Sequence, residues 1–381
     1  MSALAALPQA LIIERAEVFV CCPAVPGSTW TPEQPEPLTT HTFIRITTRD
    51  GWVGSAATDS YTQHQADTVL AQTLADMLPD LPGRSALERE RLWQHFQPKA
   101  YARSAQAQAL IDVALWDIVA QAAGQPLFQL LGGFRQQIAA YASTPVLATP
   151  GAYVDAVDGL LEQGYRAIKF HCWCDPARDL ELVRQVHQAH GDKGLALMLD
   201  VEQQYDRAAA LRVGRVLGEL DYAWFEAPLD DYDLAGYREL SARLQVPILA
   251  AGNAITDYRL VAFAAQQQCW SRVRIDVMTC GGITPALKIM AHAAANGLQV
   301  ELQSWGHSLA QAANLHLMLG QPNCSYFEQA CDLAAFEFAV ANPIRANAQG
   351  EVRAPAGPGL GLSVDWPRIE ATALLRLTSA A

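Results

Sequence analysis

Between residues 139 and 330, short and nearly continuous apolar runs alternate with helix-patterned stretches, and this alternation restricts the fold more than any other feature. The runs are 139–142, 167–173, 196–202, 223–228, 247–253, 273–278, 300–305 and 326–330, one about every 25 residues. A strand that is apolar on both faces has to be covered on both, which is the habit of parallel sheets flanked by helices. Eight such units close into a parallel α/β barrel. In barrels of this kind the polar residues at the strand ends face the mouth where active sites sit.

The second run, Ala-Ile-Lys-Phe-His-Cys-Trp, is the most telling. Ile168, Phe170 and Cys172 share one face of a strand, and Lys169 and His171, two apart, share the other. A lysine inside an apolar run has either a partner or a task. On this segment alone, a lysine leaving the sheet edge beside a satisfied histidine explains the pattern equally well. The other strand ends tip the balance: Asp200 and Glu202, then Glu226, Asn253, Asp276, Gln303 with His307 four residues on, and Glu328. From Lys169 to Gln303 the steps are 23 to 31 residues, one strand–helix unit each, so these side chains ring one mouth. Asp200, Glu226 and Asn253 put three oxygen donors on consecutive strands, a set that suits Mg²⁺.

The first 130 or so residues have a different texture. Residues 18–21 and 42–47 are strand-like, and Arg49-Asp50-Gly51 forms a hairpin turn into 52–56. Residues 63–123 carry helical spacing. The loop 23–37, rich in Pro, Thr and Gly, has the length of a functional loop. The expected division is an α+β capping domain at 1–133, the barrel at 134–345, and a C-terminal segment at 346–381 returning to the capping domain.

A net charge of −12 argues against a nucleic-acid partner or an anionic membrane surface. No apolar run reaches the roughly 20 residues of a membrane helix, and residues 1–11 lack the basic start of a signal peptide. The eight cysteines show neither a Cys-x-x-Cys pair nor zinc spacing, so a reduced, cytoplasmic setting is expected.

The chain resembles the enolase superfamily, in its mandelate racemase/muconate-lactonizing branch, over nearly its whole length. Residues 107–132, with Asp112, Ala114-Leu115, Asp117, Pro126-Leu127 and Leu130-Leu131-Gly132, are similar to the first signature of that branch, although Leu110 stands where a small residue is usual. Leu197-x-x-Asp200 and Trp224-Phe-Glu226-Ala-Pro228 resemble the second, with Glu202 replacing an Asn or His and Ala227 a polar residue. Asp276 to Gly281-Gly282-Ile283-Thr284 is similar to the sixth-strand motif, and Gly350, Pro355, Pro358-Gly-Leu-Gly361 and Asp365 to the closing segment.

The resemblance implies a modified TIM-type (β/α)7β barrel under an α+β capping domain. It also implies Mg²⁺-assisted removal of a proton α to a carboxylate, a pairing of base and metal known for this superfamily. Such a proton is very weakly acidic, and the enediolate needs a divalent cation and neighbouring positive charge. This chain reads Lys-x-His where many relatives read Lys-x-Lys. Asn253 stands where Glu or Asp is commoner, and Gln303 where a second catalytic histidine is usual.

The expected roles follow. His171 is the base, and Lys169 contacts the substrate carboxylate. Either His307 swings in from its loop to pair with Asp276 and serves as the acid of an anti elimination, or that dyad is absent and protonated His171 serves as the acid of a syn elimination. Glu328 hydrogen-bonds the enediolate. Glu202 shares the strand face of Asp200 and, with Gln303 and Trp30, meets the substrate. Thr29, Tyr61 and Arg103 are further candidates for specificity. The leading function is dehydration of a sugar acid to a 2-keto-3-deoxy acid by a homo-oligomeric enzyme. A racemase or epimerase of a hydroxy acid needs a base on each face of the carbon. A barrel that has lost catalysis and only binds ligand is the reading from another class.

Overall fold

A computed structural model describes residues 10–23, 38–60, 65–331 and 333–379. Three N-terminal strands, β1 (Ile13–Cys21), β2 (Thr40–Thr48) and β3 (Val53–Ser60), form an antiparallel sheet. Helices Gln65–Met77, Arg89–Phe96 and Ala105–Ala122 follow, so the helical spacing of residues 63–123 resolves into separate segments.

Eight parallel strands then build the barrel: β4 (Gln137–Thr144), β5 (Ala167–His171), β6 (Ala196–Asp200), β7 (Trp224–Glu226), β8 (Ile248–Leu249), β9 (Arg272–Ile275), β10 (Gln299–Leu302) and β11 (Phe327–Ala330). They lie in the order β10-β9-β8-β7-β6-β5-β4-β11. Across the seam between β10 and β11, Val300 N donates to Asn323 O at 2.7 Å and Ser304 N to a Glu328 carboxylate oxygen at 3.0 Å. A short β12 (Glu351–Arg353) pairs antiparallel with β4, and β13 (Ala373–Thr378) adds to β1 as an edge of the N-terminal sheet.

Each β5 residue is buried, as a strand between helices and a filled barrel must be. Helices join consecutive barrel strands, and most start on an oxygen-bearing side chain that accepts a free N–H. Thr149, Asp175, Asp206, Asp233 and Asp257 cap the helices at 150–162, 176–190, 207–219, 234–243 and 258–266. Helix Ile283–Ala295 begins instead on Gly282, which offers no side chain. Asp112, from the capping-domain helix, supplies the oxygen to Thr284 N at 2.9 Å. A Cβ on Gly282, where φ is +119°, would lie 2.4 Å from that carboxylate, so the glycine is what lets the two domains meet there.

After β11 the chain makes a single 3₁₀ turn, Ala334–Phe336, where earlier strands lead into α-helices. The result is a (β/α)7β barrel with an N-terminal capping sheet. No helix among the described residues is long and apolar enough to cross a membrane.

Candidate active site

The mouth of the barrel holds a cavity of about 310 Å³. Lys169 and His171 from β5, Asp200 from β6 and Glu226 from β7 line it, together with Asp276 and Gln303 after β9 and β10 and Glu328 from β11. Thr58, Asp59 and Gln106 close it from the capping domain. Ten of the eleven predicted site residues fall among the described ones, and nine of those line this cavity.

Lys169 is 2% exposed and sits among three carboxylates. Its Nζ is 2.9 Å from Asp200, 2.9 Å from Glu226 and 3.0 Å from Glu328. Burial works against the ammonium, but Glu226 and Glu328 overcome it and raise its pKa well above the ordinary lysine value. Lys169 is therefore a fixed cation here.

His171 presents one nitrogen to the cavity. Nδ1 is 2.7 Å from Thr144 O and donates to it, which leaves Nε2 facing Asp200 and Glu202 at 3.4 Å each. Burial opposes its charging, yet those two carboxylates carry its pKa up to about 10. The ring lies edge-on to Trp305 at 5.4 Å, which limits its tilt. Glu202 departs from expectation: β6 ends at Asp200, and Glu202 has φ +47°, so it reaches His171 from a turn rather than from the strand face.

Arg274 is the residue that reading strand ends alone missed. It is 3% exposed, pairs with Glu226 and Glu328 at 2.9 Å each, and donates to the Tyr141 hydroxyl at 3.1 Å. Period-two alternation from Asp276 points straight to it, with Val273 and Ile275 on the other face. Burial would raise the Glu328 carboxyl, but Lys169 and Arg274 hold it down to about 2.

Asn253 does not join the carboxylate cluster directly. Its side-chain oxygen accepts from Gln303 Nε2 at 3.2 Å, and Gln303 also donates to Ala251 O. The loop is held by buried Asp231, which accepts from Ala251 N at 3.0 Å and from Asn253 N and Ala254 N at 2.9 Å each.

His307 is a correction. It is fully buried outside the cavity, edge-on to Phe43 at 4.8 Å. Its Nδ1 accepts from Leu309 N at 3.2 Å, capping helix Ser308–Gly320, and its Nε2 donates to Phe338 O at 2.9 Å. With both nitrogens used, it cannot swing in to meet Asp276. Asp276 bonds Met278 N and Asn314 Nδ2 instead, at 2.9 Å each. Arg103 is turned to Asp76, its Nε donating at 2.9 Å, and takes no part in the cavity lining. Thr29, Trp30 and Tyr61 lie outside the described residues.

The donor chemistry fits a hard divalent cation. Asp200, Glu202, Glu226 and Glu328 face only two permanent cations, Lys169 and Arg274, and oxygen donors dominate. Among the described residues, His171, Asp200 and Glu202 bring three possible ligand atoms within 4.8 Å of one another.

Comparison with known proteins places this geometry. Residues 152–368 match the family model described as enolase C-terminal domain-like, and residues 18–132 match the mandelate racemase/muconate lactonizing enzyme N-terminal domain. L-Talarate/galactarate dehydratase of Salmonella typhimurium is 32% identical over 75% of this chain and 72% of its own length. A mutant L-talarate/galactarate dehydratase liganded with Mg and L-glucarate superposes with a TM-score of 0.84, at 25% identity over 96% of this chain and 93% of the other. L-Lys-D/L-Arg epimerase of Methylococcus capsulatus is 28% identical over 84% of this chain and 90% of its own. A Pseudovibrio sp. protein provisionally assigned to the mandelate racemase/muconate lactonizing enzymes superposes with a TM-score of 0.92, at 36% identity over 96% and 98% of the two chains. Domain matches at both ends, full-length structural likeness and a carboxylate-lined barrel mouth agree: this chain is an enzyme of the enolase superfamily, in the mandelate racemase/muconate lactonizing branch.

Proposed function

We propose that this protein is a Mg²⁺-dependent hydro-lyase that removes the α-proton of a sugar acid and eliminates the β-hydroxyl, giving a 2-keto-3-deoxy acid. The observation that carries the reading is an asymmetry. One wall of the cavity offers Lys169 and His171, while the position across from them holds Gln303, and His307 is committed to a helix cap. Inverting a stereocentre requires a base on each face, whereas elimination requires one base and one acid. Among the described cavity residues His171 is the only imidazole, which favours elimination.

Asp200, Glu226 and Asn253 would hold the cation, with Glu202 adding charge beside them. A cation held there would supply positive charge toward the substrate carboxylate and offset the carboxylates that raise the His171 pKa. Lys169, fixed by three carboxylates, gives the substrate carboxylate a second positive contact. Neutral His171 takes the α-proton at Nε2, since Nδ1 is tied to Thr144 O. Glu328, held by Lys169, Arg274 and Ser304 N, faces the enediolate oxygen.

The similarity to a talarate/galactarate dehydratase suggests aldaric acids as first substrates. The test is a screen of aldaric and aldonic acids with Mg²⁺, reading 2-keto acid formation, followed by turnover in deuterium oxide. Keto acid product is expected. Substrate returned only with inverted configuration and deuterium at the α-carbon would replace this reading with racemisation.

A further inference from the structure

We infer that Asp276 donates the proton to the departing hydroxyl directly, with no histidine between it and the substrate; this rests on the dehydratase reading above. The argument begins from what surrounds the carboxylate. Asp276 follows β9 and lines the cavity, 8% exposed. Two neighbours, Met278 N and Asn314 Nδ2, both bond its Oδ1 at 2.9 Å. Fixing one oxygen this way leaves Oδ2 as the proton-carrying atom.

The residues that could stand between Asp276 and a ligand are engaged elsewhere. Gln303 bonds Ala251 O and Asn253, and it could not relay a proton as an imidazole does. His307 caps its helix and bonds Phe338 O. Asp276 also has the right location. Its strand is four places from β5 in a ring of eight, so it faces the cavity from the wall opposite His171. Groups on opposite walls suit anti elimination.

The environment makes the carboxyl a usable acid. Burial raises its pKa to about 6, against hydrogen bonds from Asn314 and Met278 and the charge of Arg274. The titratable and charged groups facing it are Arg274 on its own strand, Glu328 from β11 and Cys280 from the following turn, with neutral Asn314 from helix Ser308–Gly320.

The step balances without a further reactant. His171 Nε2 takes the proton from the α-carbon, and that bonding pair becomes the Cα=Cβ double bond. The Cβ–O bond breaks, its oxygen keeps the pair, accepts the Asp276 proton and leaves as water. The enol tautomerises to the 2-keto acid. Asp276, left as carboxylate, is reprotonated from solvent.

The experiment uses galactarate and its 3-deoxy-3-fluoro analogue, whose fluoride leaves without protonation. The Asp276→Asn variant is expected to lose about 10²–10⁴-fold in keto acid formation from galactarate. It should still exchange the C2 proton in deuterium oxide and eliminate fluoride within about tenfold of the unsubstituted protein. An independent reading needs no variant: kcat/KM of the unsubstituted protein for galactarate, divided by that for the fluoro analogue, should fall as pH rises past about 6. Retained dehydration by the variant, fluoride elimination lost along with dehydration, or a pH-independent ratio would each overturn the assignment. If the unsubstituted protein neither dehydrates nor exchanges galactarate or any other aldarate tried, the dehydratase reading fails and this inference with it.

Discussion

Gln303 Nε2 donates to the Asn253 side-chain oxygen at 3.2 Å, so two neutral amides bridge the exits of β10 and β8 at the cavity rim. In an active site otherwise built from buried charge, this pair is the softest part. An amide oxygen has two lone pairs, so Asn253 can accept from Gln303 and still offer one electron pair to a cation. It brings no negative charge, however.

Asn253→Glu is therefore expected to tighten Mg²⁺ binding by about tenfold or more, about 1.4 kcal/mol. Titration calorimetry, or the Mg²⁺ dependence of the thermal midpoint, measures this directly. Unchanged affinity would remove Asn253 from the metal site.

Lys169→Met removes the cation shared by Asp200, Glu226 and Glu328. Stranding buried carboxylates in this way costs on the order of 3–5 kcal/mol. Urea unfolding should show that loss, and added Mg²⁺ should recover more stability in the variant than in the unsubstituted protein. A change below about 1 kcal/mol would mean that the carboxylates find other partners.

Two buried histidines should each cost stability on mild acidification, against the opposite contribution of carboxyls such as Asp112 and Asp117, which burial raises to about 6. His307 and His316 are buried and neutral, each held down to about pKa 4 by burial. Against an unfolded value near 6.5, the unfolded chain binds more protons between these limits. The contribution of each histidine is thus fully present above about pH 6.5 and is lost as pH falls toward 4, roughly 3 kcal/mol apiece. His316 accepts from Phe128 N at 3.1 Å and is 3.2 Å from Leu360 O. His316→Gln should be less stable at pH 7 but lose less between pH 6.5 and 4. Parallel urea curves for the two proteins across that range would contradict this.

Gly282→Ala should destabilise by roughly 2–4 kcal/mol, because φ is +119° and the new methyl would meet Asp112 at 2.4 Å. The damage falls on the capping-domain contact that starts helix Ile283–Ala295. Limited proteolysis should accordingly cut first near the start of this helix rather than elsewhere in the barrel. A substitution tolerated within 0.5 kcal/mol, on the order of an ordinary surface change, would show that the helix starts without Asp112.

Much of this molecule was legible in the amino-acid order because its information is local. Apolar runs at one strand–helix spacing announced the barrel, and strand-end position placed Lys169, His171, Asp200, Glu226, Asp276, Gln303 and Glu328 around one mouth. Strand alternation is a short-range rule, and the same rule reaches Arg274 once applied inward from Asp276. What only the tertiary structure decided depends on residues far apart in the chain. His307 sits four residues past Gln303, yet its imidazole is claimed by Leu309 N and by Phe338 O, 31 residues away. Asp112 begins a helix 172 residues further on. Spacing can say which strand carries a side chain. A buried polar atom, though, takes whichever partner the fold brings within reach, because leaving it unpaired costs more than any local preference.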